Sequence, residues 1–228
     1  MLYQAKFHPM LVGGSSASAA TYSDLSYIGA TESGTNTVLG VSIGAADANR
    51  VNIIGVTTDN TGAVPGQLQV NSGSFYSALV SAHSGAGDEN ACALYAVSIP
   101  SGTTADFSVD QALNSTFMVW RVLMSSTGAH DTASGTQTSS TTSHPYTGVI
   151  MPANGFGIAI QSSGKTAGSV TIDQSFVERV DVLSPYDHHY FGADLESVAG
   201  FGSSTVTITT GTSSRSAGCI ATFKGDGT

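Results

Sequence analysis

Apolar side chains recur at every second position in short runs along most of the chain, and turn-forming residues separate these runs. In one run, Met118, Trp120, Val122 and Met124 occupy one set of alternate positions. Successive side chains of a β-strand point to opposite faces, so this run predicts a strand with Trp120 on its buried face. Other strand-like runs are residues 51–56, 93–99, 156–160, 170–177, 205–209 and 220–223.

Helical periodicity is weak by comparison. Residues 181–195 could hold a turn, but Pro185 and two adjacent histidines interrupt them. About nine strands without helices are expected to pack as two antiparallel sheets. We therefore predict an all-β fold, an antiparallel β-sandwich of jelly-roll-like type. The low-complexity residues 132–143 are interpreted as a solvated loop or an extension of a sheet edge.

The first 20 residues differ from the rest of the chain. Residues 1–12 are apolar with little alternation, and residues 13–20 are all Gly, Ser or Ala. We interpret residues 1–20 as an extended N-terminal arm with a flexible joint, and residues 21–228 as the sandwich domain. A disordered terminus and a first strand are the alternatives. The arm is favoured because its large apolar side chains are costly to leave in water; they are Leu2, Tyr3, Phe7, Met10, Leu11 and Val12.

Composition narrows the function classes. Only 10% of the 228 residues are charged, against about 25% in an average domain, and the net charge is -9. A disordered chain would be more charged and poorer in aliphatic residues. A protein that binds nucleic acid through its phosphates would be basic. No apolar run is long enough for a membrane span, and the first residues lack the apolar core of a secretion signal.

The two cysteines, Cys92 and Cys219, both lie in strand-like contexts. One disulfide is possible, but two buried thiols, which pack as small apolar groups, are favoured. The reason is that the rest of the sequence does not resemble a secreted disulfide scaffold.

Catalytic motifs are weak, and we predict a protein that is not an enzyme and needs no cofactor. Residues 159–166 end in the Gly-Lys-Thr of a phosphate-binding loop, but Ala159 replaces the first glycine and a strand follows instead of a helix. Asp106 and Asp110 could form a glycosidase pair, but a strand end accounts for them better. An extracellular hydrolase stays a remote alternative.

The densest polar cluster is Asp187, His188, His189 and Tyr190. Adjacent histidines of a strand point to opposite faces, so both could bind one metal ion only from a loop. An exposed loop is the favoured interpretation, and a contact patch for a sugar or a neighbouring subunit is the second. Aromatic residues are enriched at binding surfaces, so Tyr146, Tyr186 and Tyr190 are included in this candidate surface.

Several segments together resemble a module found in structural proteins of tailed bacteriophages. An Asn-Arg pair precedes the aliphatic strand at residues 49–56, and residues 96–109 contain Ile-Pro-Ser-Gly-Thr between two strands. Asp-Thr-Ala-Ser follows at residues 131–134, Pro-Ala-Asn-Gly-Phe-Gly-Ile-Ala at residues 152–159, and Arg215 precedes the last strand. The resemblance extends over about residues 40–224 and carries no catalytic or binding residue.

The resemblance implies a virion protein on the exterior of a capsid or tail, made in the host cytoplasm. Its expected partners are other virion proteins and copies of itself, for example in a trimer. The arm would anchor the domain or link it to a neighbour. The alternative is an adhesion module that binds host-surface polysaccharide. Neither role involves nucleic acid or membrane insertion.

Overall fold

The computed structural model describes residues 22–59, 63–85, 90–110, 114–164, 167–186, 188–197 and 199–224. These ranges contain fifteen strands and no helix. The strands, in chain order, are β1 (Ser23–Ser33), β2 (Thr37–Ser42), β3 (Arg50–Thr58), β4 (Leu68–Val70), β5 (Phe75–Tyr76), β6 (Val80–His83), β7 (Ala91–Ser98), β8 (Thr104–Val109), β9 (Ser115–Leu123), β10 (Asp131–Met151), β11 (Gly155–Gly164), β12 (Val170–Ile172), β13 (Val177–Leu183), β14 (His188–Ser197) and β15 (Phe201–Phe223).

The strands form three antiparallel sheets. The central sheet has the order β1-β9-β3-β7-β6, and a small sheet on one side of it has the order β2-β8-β4-β5. The third sheet has the order β10-β15-β11-β14-β13, with β12 paired to β15. The prediction of an all-β antiparallel sandwich is confirmed, whereas the jelly-roll arrangement stays a prediction.

The central sheet is apolar on both faces, which explains why β3, β7 and β9 are almost entirely buried. One face packs with the small sheet around Ile54, Tyr95 and Phe107. The opposite face packs with the third sheet around Trp120, Phe156 and Ile160. Trp120 is fully buried, as predicted.

The strands β10 and β15 form one long ribbon that bends back over the third sheet. Its register slips between Gln137 and Ser143, and the return half lies close to the start, since the Ile150 amide donates to Asp131 Oδ2 at 2.8 Å. The bend encloses a further apolar cluster that includes Tyr146 and Phe191. Residues 132–143 belong to β10, the edge strand of the third sheet, which agrees with the edge extension and not with the loop.

Arg50 links the start of β3 to two loops. The three nitrogens of its guanidinium donate to four backbone carbonyls at 2.6–3.0 Å, those of Gly44, Ile99, Ser101 and Gly102. The side chain is fully buried, and this burial lowers the pKa of Arg50 from its usual value. Carbonyl oxygens that a loop could not otherwise satisfy are thereby hydrogen-bonded.

Both cysteines are free and fully buried, in agreement with the favoured interpretation. The described residues between 181 and 195 form the end of β13, a turn and most of β14 rather than helix. Among the described residues, no helix is long and apolar enough to cross a membrane.

Candidate functional site

The predicted contact segment lies where β13 turns into β14. Tyr186 is in this turn and half-buried, and its ring lies against Gly34, in the turn between β1 and β2. Asp187 lies outside the described residues. His188, His189 and Tyr190 begin β14, so they belong to a strand and not to an exposed loop.

The two histidines point to opposite faces of the third sheet. His188 faces the central sheet, where Nε2 lies 3.3 Å from Thr116 Oγ1; burial lowers the pKa of His188 to about 4. His189 lies on the other face, with Nε2 3.3 Å from Asp181 Oδ1. Burial lowers the pKa of His189 as well, and the Asp181 carboxylate partly opposes this change.

This arrangement brings no metal ligand set together. Since the two imidazoles are on opposite sides of one strand, a single ion could not reach both. Across the described ranges, no group of three or more His, Cys, Asp or Glu side chains is placed to hold a metal ion.

The expectation that these aromatic residues form an exposed surface is wrong for Tyr146 and Tyr190. Tyr146 is 2% exposed, and its hydroxyl donates to Gln161 Oε1 at 2.8 Å beneath the folded ribbon. Tyr190 is 5% exposed and packs in the main core cluster, where burial raises its pKa. Both residues lie in strands, whose successive side chains point to opposite faces, and both rings point to the buried face. His188 and His189 are buried too, so Tyr186 is the half-exposed one among the described residues of the candidate surface.

A buried carboxylate joins the two main sheets and was not singled out by the sequence. Asp194 Oδ2 accepts a hydrogen bond from Trp120 Nε1 at 2.9 Å. Arg179, on β13, forms an ion pair with the same carboxylate: its Nε donates to Asp194 Oδ2 and its Nη2 to Oδ1, each at 2.8 Å. The hydrogen bonds to Asp194 raise the pKa of the Arg179 guanidinium. This arrangement satisfies a charge that would otherwise be costly to bury.

The strand β13 is an edge strand with exposed apolar side chains. Among the described strands it pairs with β14 alone. Val177, Val182 and Leu183 are 41–54% exposed. An open edge with apolar side chains can pair with another chain. The available sequence signal was the mixture of valines and charged residues at 177–182, with Asp181 between Val180 and Val182, which is typical of a strand with one face in water.

A cavity of about 350 Å³ opens at the end of the sandwich where the described chain begins. Met124, Ala129 and Phe223 give it apolar walls, and His130 and Lys224 add polar atoms. The first described residue, Tyr22, packs on Phe156, and the ring of Phe156 stacks on Phe223. Tyr22 therefore lies close to this cavity.

The six apolar residues assigned to the arm lie outside the described residues; they are Leu2, Tyr3, Phe7, Met10, Leu11 and Val12.

Comparisons of the chain with protein-family models, with curated proteins and with solved structures find no match. The fold and the surface define an all-β sandwich with an open apolar edge.

Proposed function

We propose that this protein is a non-enzymatic structural subunit of a tailed phage or phage-like particle, displayed on the exterior of the capsid or tail. The observation that carries the proposal is the open edge strand β13, with Val177, Val182 and Leu183 exposed. Monomeric proteins usually protect such edges with charge or bulges; on β13 the charged residues and the irregular register between Glu178 and Val180 leave Val182 and Leu183 exposed. A neighbouring subunit would cover the β13 edge in an assembled particle.

The position of Tyr22 supports an anchoring role for the N-terminal arm. The Tyr22 hydroxyl donates to the carbonyl of Gly155, the first residue of β11, at 3.2 Å. The apolar cavity between Met124 and Phe223 lies next to this point. An arm from the same or a neighbouring subunit would bury its apolar residues there, and many weak contacts of this kind hold a particle together.

The described members of the polar cluster at residues 187–190 are buried in the fold. His188 and His189 are buried on opposite faces, with Thr116 and Asp181 beside their rings. This use of the cluster agrees with a structural role. The alternative of a host-polysaccharide adhesin, and the remote one of a hydrolase, have no comparable observation in their favour, because only Tyr186 among the candidate tyrosines is half-exposed.

The mass of the protein in solution tests whether the chain associates with itself through the β13 edge. Light scattering is measured on the full chain, on the chain lacking residues 1–20, and on a Val182→Lys, Leu183→Lys double variant. We expect the full chain to form a defined oligomer. The truncated chain and the double variant should each have a lower solution mass than this oligomer. The control is Leu39→Lys on β2, because Leu39 is also exposed, at 74%, but belongs to the small sheet. A full chain that stays monomeric at every concentration contradicts self-association through β13.

Particle association tests the location. Phage-like particles from cells that encode this chain are separated on a density gradient and labelled with antibody to the sandwich domain. We expect the chain to sediment with the particles and the label to lie on their outer surface. Deletion of residues 1–20 should release it, whereas Tyr186→Ala should not. The proposal fails if the chain stays at the top of the gradient.

A further inference from the structure

Cys92 and Cys219 meet in the space between the central and third sheets. Cys92 lies in β7 and Cys219 in β15, 127 positions apart in the chain, and their Sγ atoms are 3.0 Å apart. A covalent S–S bond is about 2.05 Å long, so a small further approach of the two sulfur atoms brings them to bonding distance. Both side chains are fully buried in the main core cluster.

We propose that these two thiols form a disulfide that joins the two main sheets when the protein meets a small-molecule disulfide such as oxidised glutathione. One cysteine thiolate attacks the small disulfide, forms a mixed disulfide and expels one small thiolate. The second cysteine then attacks the protein sulfur of the mixed disulfide and expels the other. Two protein thiols are oxidised, one small disulfide is reduced to two thiols, and the two cysteine protons go to those thiols.

The backbone holds the two sulfur atoms in this position. Cys92 is paired on both sides, with Thr57 of β3 and Ala82 of β6. Cys219 is likewise paired on both sides, with Ser134 of β10 and Ile160 of β11. Since each cysteine is in the interior of a hydrogen-bonded ladder, the contact is a consequence of sheet packing and not of a mobile loop.

Burial determines when the reaction is fast. The Cys219 thiol has a pKa raised well above its usual value, chiefly by burial, so little reactive thiolate forms in the folded protein. We therefore expect slow oxidation of the native protein and rapid oxidation during refolding, when the thiols are exposed and the final packing brings them together.

The experiment refolds the full chain in a glutathione redox buffer and, in parallel, in excess reductant. Each sample is then unfolded and treated with iodoacetamide, and its mass is measured. We expect no alkylated cysteine after oxidative refolding and two after reductive refolding. A proteolytic digest should contain one linked peptide pair that joins Cys92 to Cys219. The oxidised chain should melt about 4–10 °C higher, because the cross-link restricts the unfolded state.

Cys92→Ala and Cys219→Ala are the matched controls, since each keeps one thiol. Their melting temperatures should be the same in oxidising and reducing buffer. The wild-type mass measurement needs no variant, so a variant that fails to fold does not prevent the test. Two alkylated cysteines after oxidative refolding, or a disulfide between two chains in place of the internal one, would overturn the proposal.

Discussion

Arg50 and Ser101 are joined by a hydrogen bond from the guanidinium Nη2 to the backbone carbonyl, at 2.8 Å. The same guanidinium binds the neighbouring carbonyls of Ile99 and Gly102. Two separate sequence motifs, the Asn-Arg pair and the Ile-Pro-Ser-Gly turn, are thus one structural unit. The arginine is buried, so it holds the turn after β7 against the start of β3.

Replacing Arg50 with Lys should destabilise the protein by about 3 kcal/mol or more, because a buried ammonium cannot reach all four carbonyls. Urea unfolding followed by circular dichroism measures the change. Asp47→Asn is the control, since Asp47 is the acid nearest in sequence to Arg50 and an Asn oxygen can still accept from the Asn49 amide. An effect of Asp47→Asn as large as that of Arg50→Lys would mean that acid pairing, and not carbonyl binding, is the main role of Arg50.

Replacing Trp120 with Phe should lower the free energy of unfolding by about 1–3 kcal/mol. The ring volume is partly kept, but Asp194 Oδ2 loses its donor from the central sheet. Urea unfolding is again followed by circular dichroism, because the variant has no tryptophan fluorescence. In an Asp194→Asn background, Trp120→Phe should have a smaller effect. Equal effects in both backgrounds would show that only packing was lost.

Acid should destabilise the protein below about pH 6.5, because burial lowers the pKa values of His144 and His188 to about 4. In the unfolded chain both would titrate near 6.5, so the unfolded state binds more protons between these values. Stability is therefore complete above pH 6.5 and falls as the pH drops towards 4, by a few kcal/mol at most for each histidine.

Urea midpoints measured from pH 8 to pH 5 check this dependence. His144→Gln should flatten the curve, since the ring is enclosed with Thr210 and Ser216 beside its two nitrogens. His130→Gln is the control, because His130 is exposed at the cavity that Phe223 also lines. A His144→Gln curve as steep as that of the wild type would exclude His144 as a source of the pH dependence.

Gly192→Ala should destabilise the protein by about 1–3 kcal/mol through overpacking. A Cβ at this position would lie 2.8 Å from Met118 Sδ and 3.1 Å from the Trp120 ring. Thermal unfolding measures the effect against Gly202→Ala, a strand glycine with open space around its Cβ position. We expect the control to be neutral or slightly stabilising. A tolerated Gly192→Ala would mean that the two sheets can move apart at this point.

The strand runs and the inward position of Trp120 could be predicted because both depend on local alternation. The candidate surface was less predictable, since alternation does not tell which face of a strand meets a second layer. Tyr146 projects from the return half of the β10–β15 ribbon onto the first half, where its ring lies against Gly218, and Tyr190 is covered by the central sheet. Both partners are distant in sequence, so the residues around each tyrosine carried no sign of its burial.

The alternation of apolar and polar side chains, together with low charge and few helix signals, was enough to establish an all-β protein of packed antiparallel sheets. Only the tertiary structure decided that Cys92 meets Cys219, that Asp194 meets Trp120, and that β13 is left at an open edge. The physical reason is that a period of two specifies which face of a strand is apolar. The order of strands in a sheet and the stacking of sheets depend on long-range contacts that no local pattern encodes.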